Sequence, residues 1–151
     1  MASLSGQVEE RAVVWNSTPS IRPIRNGFVS STYGPRVDPF TGKRVFHSAI
    51  DISSWYWEEI HAPADGIVTR TGRNGGSGLF VELSHGFGFT TLYAHLKKFN
   101  VKPGQDVRRH DVLGFVGSTG RSTGPHLHYE VRYQGKPVNP AQFILETEEV
   151  L

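Results

Sequence analysis
From Gly27 onward the apolar residues come in short runs between turn formers, and several runs alternate apolar with polar side chains. Alternation of period two puts residues i and i+2 on one face of a strand. Leu79–Leu83, Phe89–Leu96, Val112–Val116 and Leu127–Tyr133 fit that pattern, and Gly66–Thr69 reads as the start of another strand. Gly86-Phe87-Gly88 and Lys102-Pro103-Gly104 supply turns between them. In the last run Leu127, Tyr129, Val131 and Tyr133 share one face, and His126, His128, Glu130 and Arg132 the other. Upstream, Leu4, Val8, Ala12 and Trp15 fall near helical spacing, with Glu9, Glu10 and Arg11 between them. Thr18-Pro19-Ser20 ends that pattern and Pro23 prevents its resumption. The expectation is a helical lead-in or linker over residues 1–20, then one all-β domain over residues 21–151. That domain should be a mainly antiparallel sheet, folded as a sandwich or flattened barrel.

Composition narrows the chemistry. The 151 residues suffice for one domain with a real core, and 17 glycines and 9 prolines favour many turns over a helical bundle. The chain has no cysteine, which excludes disulfides, thiolate catalysis and cysteine-type structural zinc. Any metal site must therefore use His with Asp or Glu, a donor set that leans towards catalysis. The net charge of +2 suits an anionic surrounding such as a cell-wall polymer and is too small to argue for nucleic acid. No stretch is long and apolar enough to span a membrane, and no secretory signal opens the sequence. Met1-Ala2-Ser3 leaves room for a targeting segment removed upstream.

His126 and His128 carry the most information. Two imidazoles side by side on one strand face are hard to explain as packing and useful as metal ligands. Taken alone, the pair is better read as two polar residues on a solvent face. The loop before it, Ser118-Thr119-Gly120-Arg121-Ser122-Thr123-Gly124-Pro125, changes the weighing. It is dense in turn formers and can give a rigid approach with backbone donors. His47 and Asp51 lie four apart, an even offset, so a continuous strand would put both on one face, with Asp51 opposite Ile50 and Ile52. An ordinary turn histidine and a capping or surface aspartate explain them equally well. Together the two pairs offer three ligands for a zinc with an open position, and one histidine to spare. His95, in Tyr93-Ala94-His95-Leu96, reads by itself as a satisfied core or edge histidine. His61, His85 and His110 neighbour turn residues or charges and are expected at the surface. Trp55-Tyr56-Trp57 is expected to pack in the core or brace a hairpin rather than form an aromatic platform for a sugar or peptide. Glu58 and Glu59 are expected in a solvated turn.

The ordered set His47-x-x-x-Asp51, Tyr93-Ala94-His95-Leu96 and Gly117 to His128 resembles the M23 peptidase family, zinc metallopeptidases of the lysostaphin and LytM type that act on peptidoglycan. The resemblance runs from about Ile21 to Phe143, and Val138-Asn139-Pro140 is similar to the family's closing segment. It implies a compact antiparallel β fold with the metal in a groove. Carried over by position, it implies that His47, Asp51 and His128 bind zinc and that His95 and His126 are the catalytic histidines beside it. The chain departs from the family at Ala49, where glycine is common, and at Trp55–Ile60, which replaces a short Gly-Thr-Pro-like segment and would reshape one groove wall. No His-Glu-x-x-His motif is present, so a glutamate base is not supported.

The function implied is zinc-dependent hydrolysis of peptide stems or cross-bridges of peptidoglycan. A D-alanyl–diaminopimelate cross-link is the first candidate and a glycyl bond the second. The site of action would be the periplasmic or extracellular cell envelope, with a membrane-anchored parent chain in view. A non-catalytic wall-binding or amidase-activating module is the alternative, and retention of all five site residues argues against it. A β-rich domain with a structural metal is the third reading.

Overall fold
The alternating runs pair, antiparallel throughout, into one extensive sheet. The computed structural model describes residues 15–144, so most of the expected lead-in lies outside the described residues. Of that segment Trp15 and Asn16 are helical, and Thr18 N–H closes the turn on the Trp15 carbonyl at 3.1 Å. Twelve strands follow among the described residues: β1 (Phe28–Ser31), β2 (Gly34–Val37), β3 (Arg44–His47), β4 (Ile50–Ser53), β5 (Glu59–His61), β6 (Gly66–Asn74), β7 (Gly78–Gly86), β8 (Phe89–Phe99), β9 (Asp106–Val107), β10 (Val112–Val116), β11 (His126–Tyr133) and β12 (Lys136–Val138). The main sheet runs β1-β4-β11-β8-β7-β6-β9, with β12 beside β11. Strands β2 and β3 form a separate hairpin.

Strand β8 organises the site. Its first half pairs with β11 as far as Ala94 opposite His128, and its second half pairs with β10 from Leu96 opposite Val116. The change of partner falls at His95, whose φ is +65°. Against β7 the same place is a bulge: Leu79 faces Leu96 but Val81 faces Tyr93, so β8 carries one residue more. A bulge bends its strand and re-aims a side chain. Strict alternation would send His95 to the side of buried Tyr93; the bulge frees it from that face.

The expected faces of β11 hold. Leu127, Tyr129 and Val131 are fully buried, and only Tyr133, at the strand end, is exposed. They join Ile50 and Ile52 of β4, Val81 and Leu83 of β7 and Tyr93 of β8 in one core. Each such side chain contributes about 1.5–3 kcal/mol by leaving water, which anchors β4, β8 and β11 as neighbours.

Two surface expectations fail, and alternation explains one of them. His85 is 4% exposed because Val81, Leu83 and His85 occupy the inner face of β7. Its Nδ1–H donates to the Asp65 carbonyl at 2.7 Å, and its Nε2 lies 2.7 Å from Thr91 Oγ1, which in turn meets Tyr93 Oη. His61 is also buried, with Nδ1–H on the His110 carbonyl at 2.9 Å, whereas His110 itself is exposed. The aromatic triplet errs the other way: Trp55, Tyr56 and Trp57 are exposed rather than packed in the core.

Burial lowers the His85 pKa from 6.5 to about 4, outweighing the carbonyl and carboxylate of Asp65, while Arg109 lowers it further. The folded value lies below the unfolded one, so the unfolded chain binds the extra proton between them. Stability from this group is complete above about pH 6.5 and is lost as pH falls towards 4, by roughly 3 kcal/mol in all. Between pH 7 and pH 5 the wild type should lose about 2 kcal/mol more than His85→Gln. Urea unfolding of both proteins at the two pH values checks this; parallel losses would refute it.

Candidate metal centre
Four elements bring the site together. His47 ends β3 and Asp51 lies in β4, so the Ser48-Ala49 reversal, not one continuous strand, makes the pair. Ala49 is fully buried in that reversal. Opposite Asp51 in register stands His128 of β11, with His126 two residues earlier on the same face. His95 comes from the β8 bulge. The rings form a cluster: His95 and His126 centroids are 4.8 Å apart, His47 and His128 5.5 Å, and His95 and His128 5.8 Å.

Backbone carbonyls fix the tautomers. A carbonyl only accepts, so the ring nitrogen facing it carries the proton. His47 Nδ1–H donates to Thr32 O at 3.0 Å, His95 Nδ1–H to Thr119 O at 2.7 Å, and His126 Nδ1–H to Gly124 O at 2.9 Å. Each of these rings therefore presents an Nε2 lone pair. His128 is turned the other way, with Nδ1 2.9 Å from Asp51 Oδ1 and Nε2 3.4 Å from Glu130 Oε2.

Asp51 Oδ1 is the focus. His128 Nδ1 lies at 2.9 Å, His47 Nε2 at 3.4 Å and His126 Nε2 at 4.0 Å. His47 Nε2 is buried without a hydrogen-bond partner. A lone pair and a carboxylate oxygen aimed at one another repel, and a divalent cation between them removes the repulsion. One donor atom each from His47, Asp51 and His128 lies within 4.8 Å of the others. Two neutral imidazoles and one carboxylate are a donor set that suits zinc.

Outer groups hold these donors. Arg36 Nη1 donates to Asp51 Oδ2 at 3.1 Å and to Ser31 Oγ at 2.8 Å, and Arg132 donates to Glu130 behind His128. Burial would raise the Asp51 carboxyl, but the hydrogen bond and positive charge of His128 outweigh it and hold it far below the usual range. Burial would likewise lower His128, but Asp51 and Glu130 raise it to about 9. A proton on Nδ1 and a metal ion compete for one lone pair, so metal binding there releases the proton. His95 is lowered, chiefly by burial and then by the neighbouring His126 and His128, against the pull of the Thr119 carbonyl. It stays a neutral proton acceptor at neutral pH.

The sequence gives no spacing signal for the support of His95. The β6–β7 turn and the 118–121 loop press together under it. Ser77 O accepts the His95 N–H at 2.7 Å, and Thr119 Oγ1 bridges Leu79 N–H and Leu96 O. Gly78 has φ +64°, and a Cβ there would stand 2.3 Å from the carbonyl carbon of Thr119. Gly78→Ala should therefore push away the carbonyl that orients His95. A clash with backbone combined with φ > 0 should destabilise by about 2–4 kcal/mol, or roughly 5–15 °C in a chain of this size. Thermal unfolding checks it, and an unchanged midpoint would refute the close packing.

The site opens into a cavity of about 920 Å³. One wall is the β2–β3 hairpin with Arg36 and Phe40, and the other is the 121–126 loop. The walls touch where Arg121 lies 4.4 Å over the Phe40 ring and 3.4 Å from Asp38 Oδ1.

With this geometry in view, the comparisons with known proteins are specific. The sequence model for Peptidase family M23 matches residues 45–140. The chain is 46% identical over 131 residues to the DD-carboxypeptidase/endopeptidase Mpg of Neisseria meningitidis serogroup B, covering 87% of this chain and 30% of that one. It is 39% identical over 112 residues to the peptidoglycan DD-endopeptidase ShyA of Vibrio cholerae, covering 74% and 26%. The chain thus spans under a third of the length of these curated relatives. Its fold superposes on a zinc-containing peptidase from Vibrio cholerae with a TM-score of 0.71 at 33% identity, over 83% of this chain and 38% of that one. Motif order, antiparallel fold and model match agree, and the chain belongs to Peptidase family M23.

Proposed function
We propose that this chain is the catalytic part of a zinc-dependent endopeptidase that hydrolyses peptide cross-links of peptidoglycan. The observation that carries this reading is the convergence of His47 Nε2, Asp51 Oδ1 and His128 Nδ1 beside two further imidazoles, those of His95 and His126. In this reading His47, Asp51 and His128 hold the ion. When bound, zinc supplies Lewis acidity, which lowers the pKa of a water from 15.7 to about 7 and draws charge from a scissile carbonyl.

The remaining work falls to this chain's side chains. His95 and His126 each offer an Nε2 lone pair to the cavity, held by a carbonyl behind. One can take the proton of the attacking water and return it to the departing amine. The other, once protonated, can donate to the developing oxyanion. Arg36 keeps Asp51 charged and oriented, as outer partners of metal ligands do.

The names of the relatives support a DD bond, and hence the D-alanyl–diaminopimelate cross-link before a glycyl bond. They also support action in the periplasmic or extracellular envelope, and the relatives' greater length supports a longer parent chain. Incubation of the zinc-loaded protein with purified cross-linked muropeptides should release monomers. Binding to sacculi without such release would favour the non-catalytic wall-binding module instead.

A further inference from the structure
We propose that Trp55, Tyr56 and Trp57 form a saccharide platform at one end of the groove, stacking the glycan strand from which the substrate peptide branches. The choice of glycan rests on the peptidoglycan reading above.

Three consecutive aromatics are 62, 48 and 53% exposed. Clustered exposed apolar surface marks binding sites, whereas single exposed residues need no explanation. The backbone is shaped to present them. Glu58 N–H closes a turn on the Trp55 carbonyl at 3.4 Å, and Trp57 sits at its third position with φ +72°. That place calls for glycine, and a bulky residue there is an outlier of the kind concentrated at functional sites. The turn is fixed from both sides. Trp57 N–H donates to Val116 O at 2.9 Å, and the Glu58 carboxylate accepts from Asn26 N–H and Ser54 Oγ. The Trp57 ring is braced against Phe115 at 5.7 Å, with Lys97 Nζ 6.0 Å from its centre.

The platform continues the groove. Ser53 and Ser54, immediately before it, line the cavity, and Ser54 N–H donates to Pro125 O on the opposite wall at 3.4 Å. Phe28, itself exposed, is the register partner of Ser53. A peptide lying in this cavity with its sugar-bearing end beside Ser53 and Ser54 would bring that sugar next to the turn. Pyranose C–H groups carry slight positive charge and settle on the negative face of an indole or phenol ring. Lys97 adds a donor beside that face. An anionic bilayer is disfavoured as the occupant, because Glu58 closes this turn and Glu59 follows it at the start of β5.

Isothermal titration with soluble glycan strands stripped of peptide tests this on the wild type, Trp55→Ala and Trp57→Gly. Trp57→Gly suits the local φ, so its fold is preserved by design, and thermal unfolding verifies both variants. Saturable binding by the wild type, weakened at least about tenfold in each variant (about 1.4 kcal/mol), is expected. Failure of the wild type to bind, or equal binding by both folded variants, would overturn the platform. So would binding of phosphatidylcholine vesicles in place of glycan. Titration reads no turnover, so the two readings fail separately. Cross-link hydrolysis without glycan binding sinks the platform alone. Glycan binding by a chain that hydrolyses nothing upholds the platform and sinks the peptidase.

Discussion

His128→Ala and Asp51→Ala should each abolish zinc binding and peptide hydrolysis together. Both residues put a donor atom at the focus of the site, 2.9 Å apart. Removing one donor leaves two, below the three that hold a catalytic zinc. The loss of Asp51 is also electrostatic. It takes away the carboxylate that balances the ion and leaves Arg36 Nη1, now 3.1 Å from Oδ2, as an uncompensated positive charge beside the site. Zinc content should fall from near one per chain to near none after dialysis. Hydrolysis of cross-linked muropeptides should fall at least a thousandfold, or about 4 kcal/mol in transition-state stabilisation. Asp51→Asn separates charge from shape and should behave as Asp51→Ala does. Full zinc retention by Asp51→Ala would remove the aspartate from the ligand set.

His95→Ala should do the opposite on the metal and nearly the same on turnover. Its ring contacts the cluster from β8, while the proposed ligands come from β3, β4 and β11. Zinc content should therefore be unchanged. Turnover should fall about 10²–10⁴-fold, the usual contribution of a positioned acid or base. Alanine at φ +65° is somewhat harder to accommodate than histidine, so thermal unfolding of both proteins accompanies the comparison. Zinc analysis beside kcat on soluble muropeptides makes the distinction. Loss of zinc along with activity would make His95 a ligand or a prop for one.

Much of this was legible in the sequence, because it depends on period-two alternation. The inner face Leu127, Tyr129 and Val131 of β11 follows directly from it, as does His126 beside His128. The same rule extended from Val81 and Leu83 places His85 inside, whereas the turn signal of neighbouring Gly86 points to the surface. Other features depend on tertiary contacts with no local trace. His47 and Asp51 meet across a reversal between two sheets, which their even spacing mimics without causing. His95 enters the groove through a bulge against β7, at the point where β8 also changes partner from β11 to β10. Arg36, Ser77, Gly78 and the Thr119 carbonyl support the site from loops and strands far apart in the chain. The Trp55–Trp57 turn defeats propensity altogether, since three large aromatics ordinarily mean burial.

The contact of Arg121 with Phe40 and Asp38 has a topological meaning. A cross-linked net has no free ends to thread, so an internal bond can be cut only where the strand lies along an open trough. With the two walls joined across it, a strand would have to be threaded beneath the Arg121 contact. With them parted, an uninterrupted polymer could be laid in from the side. An exposed ion pair contributes about 0–1 kcal/mol and an exposed cation–π contact about 0.5–1 kcal/mol, so parting the walls costs no more than about 2 kcal/mol.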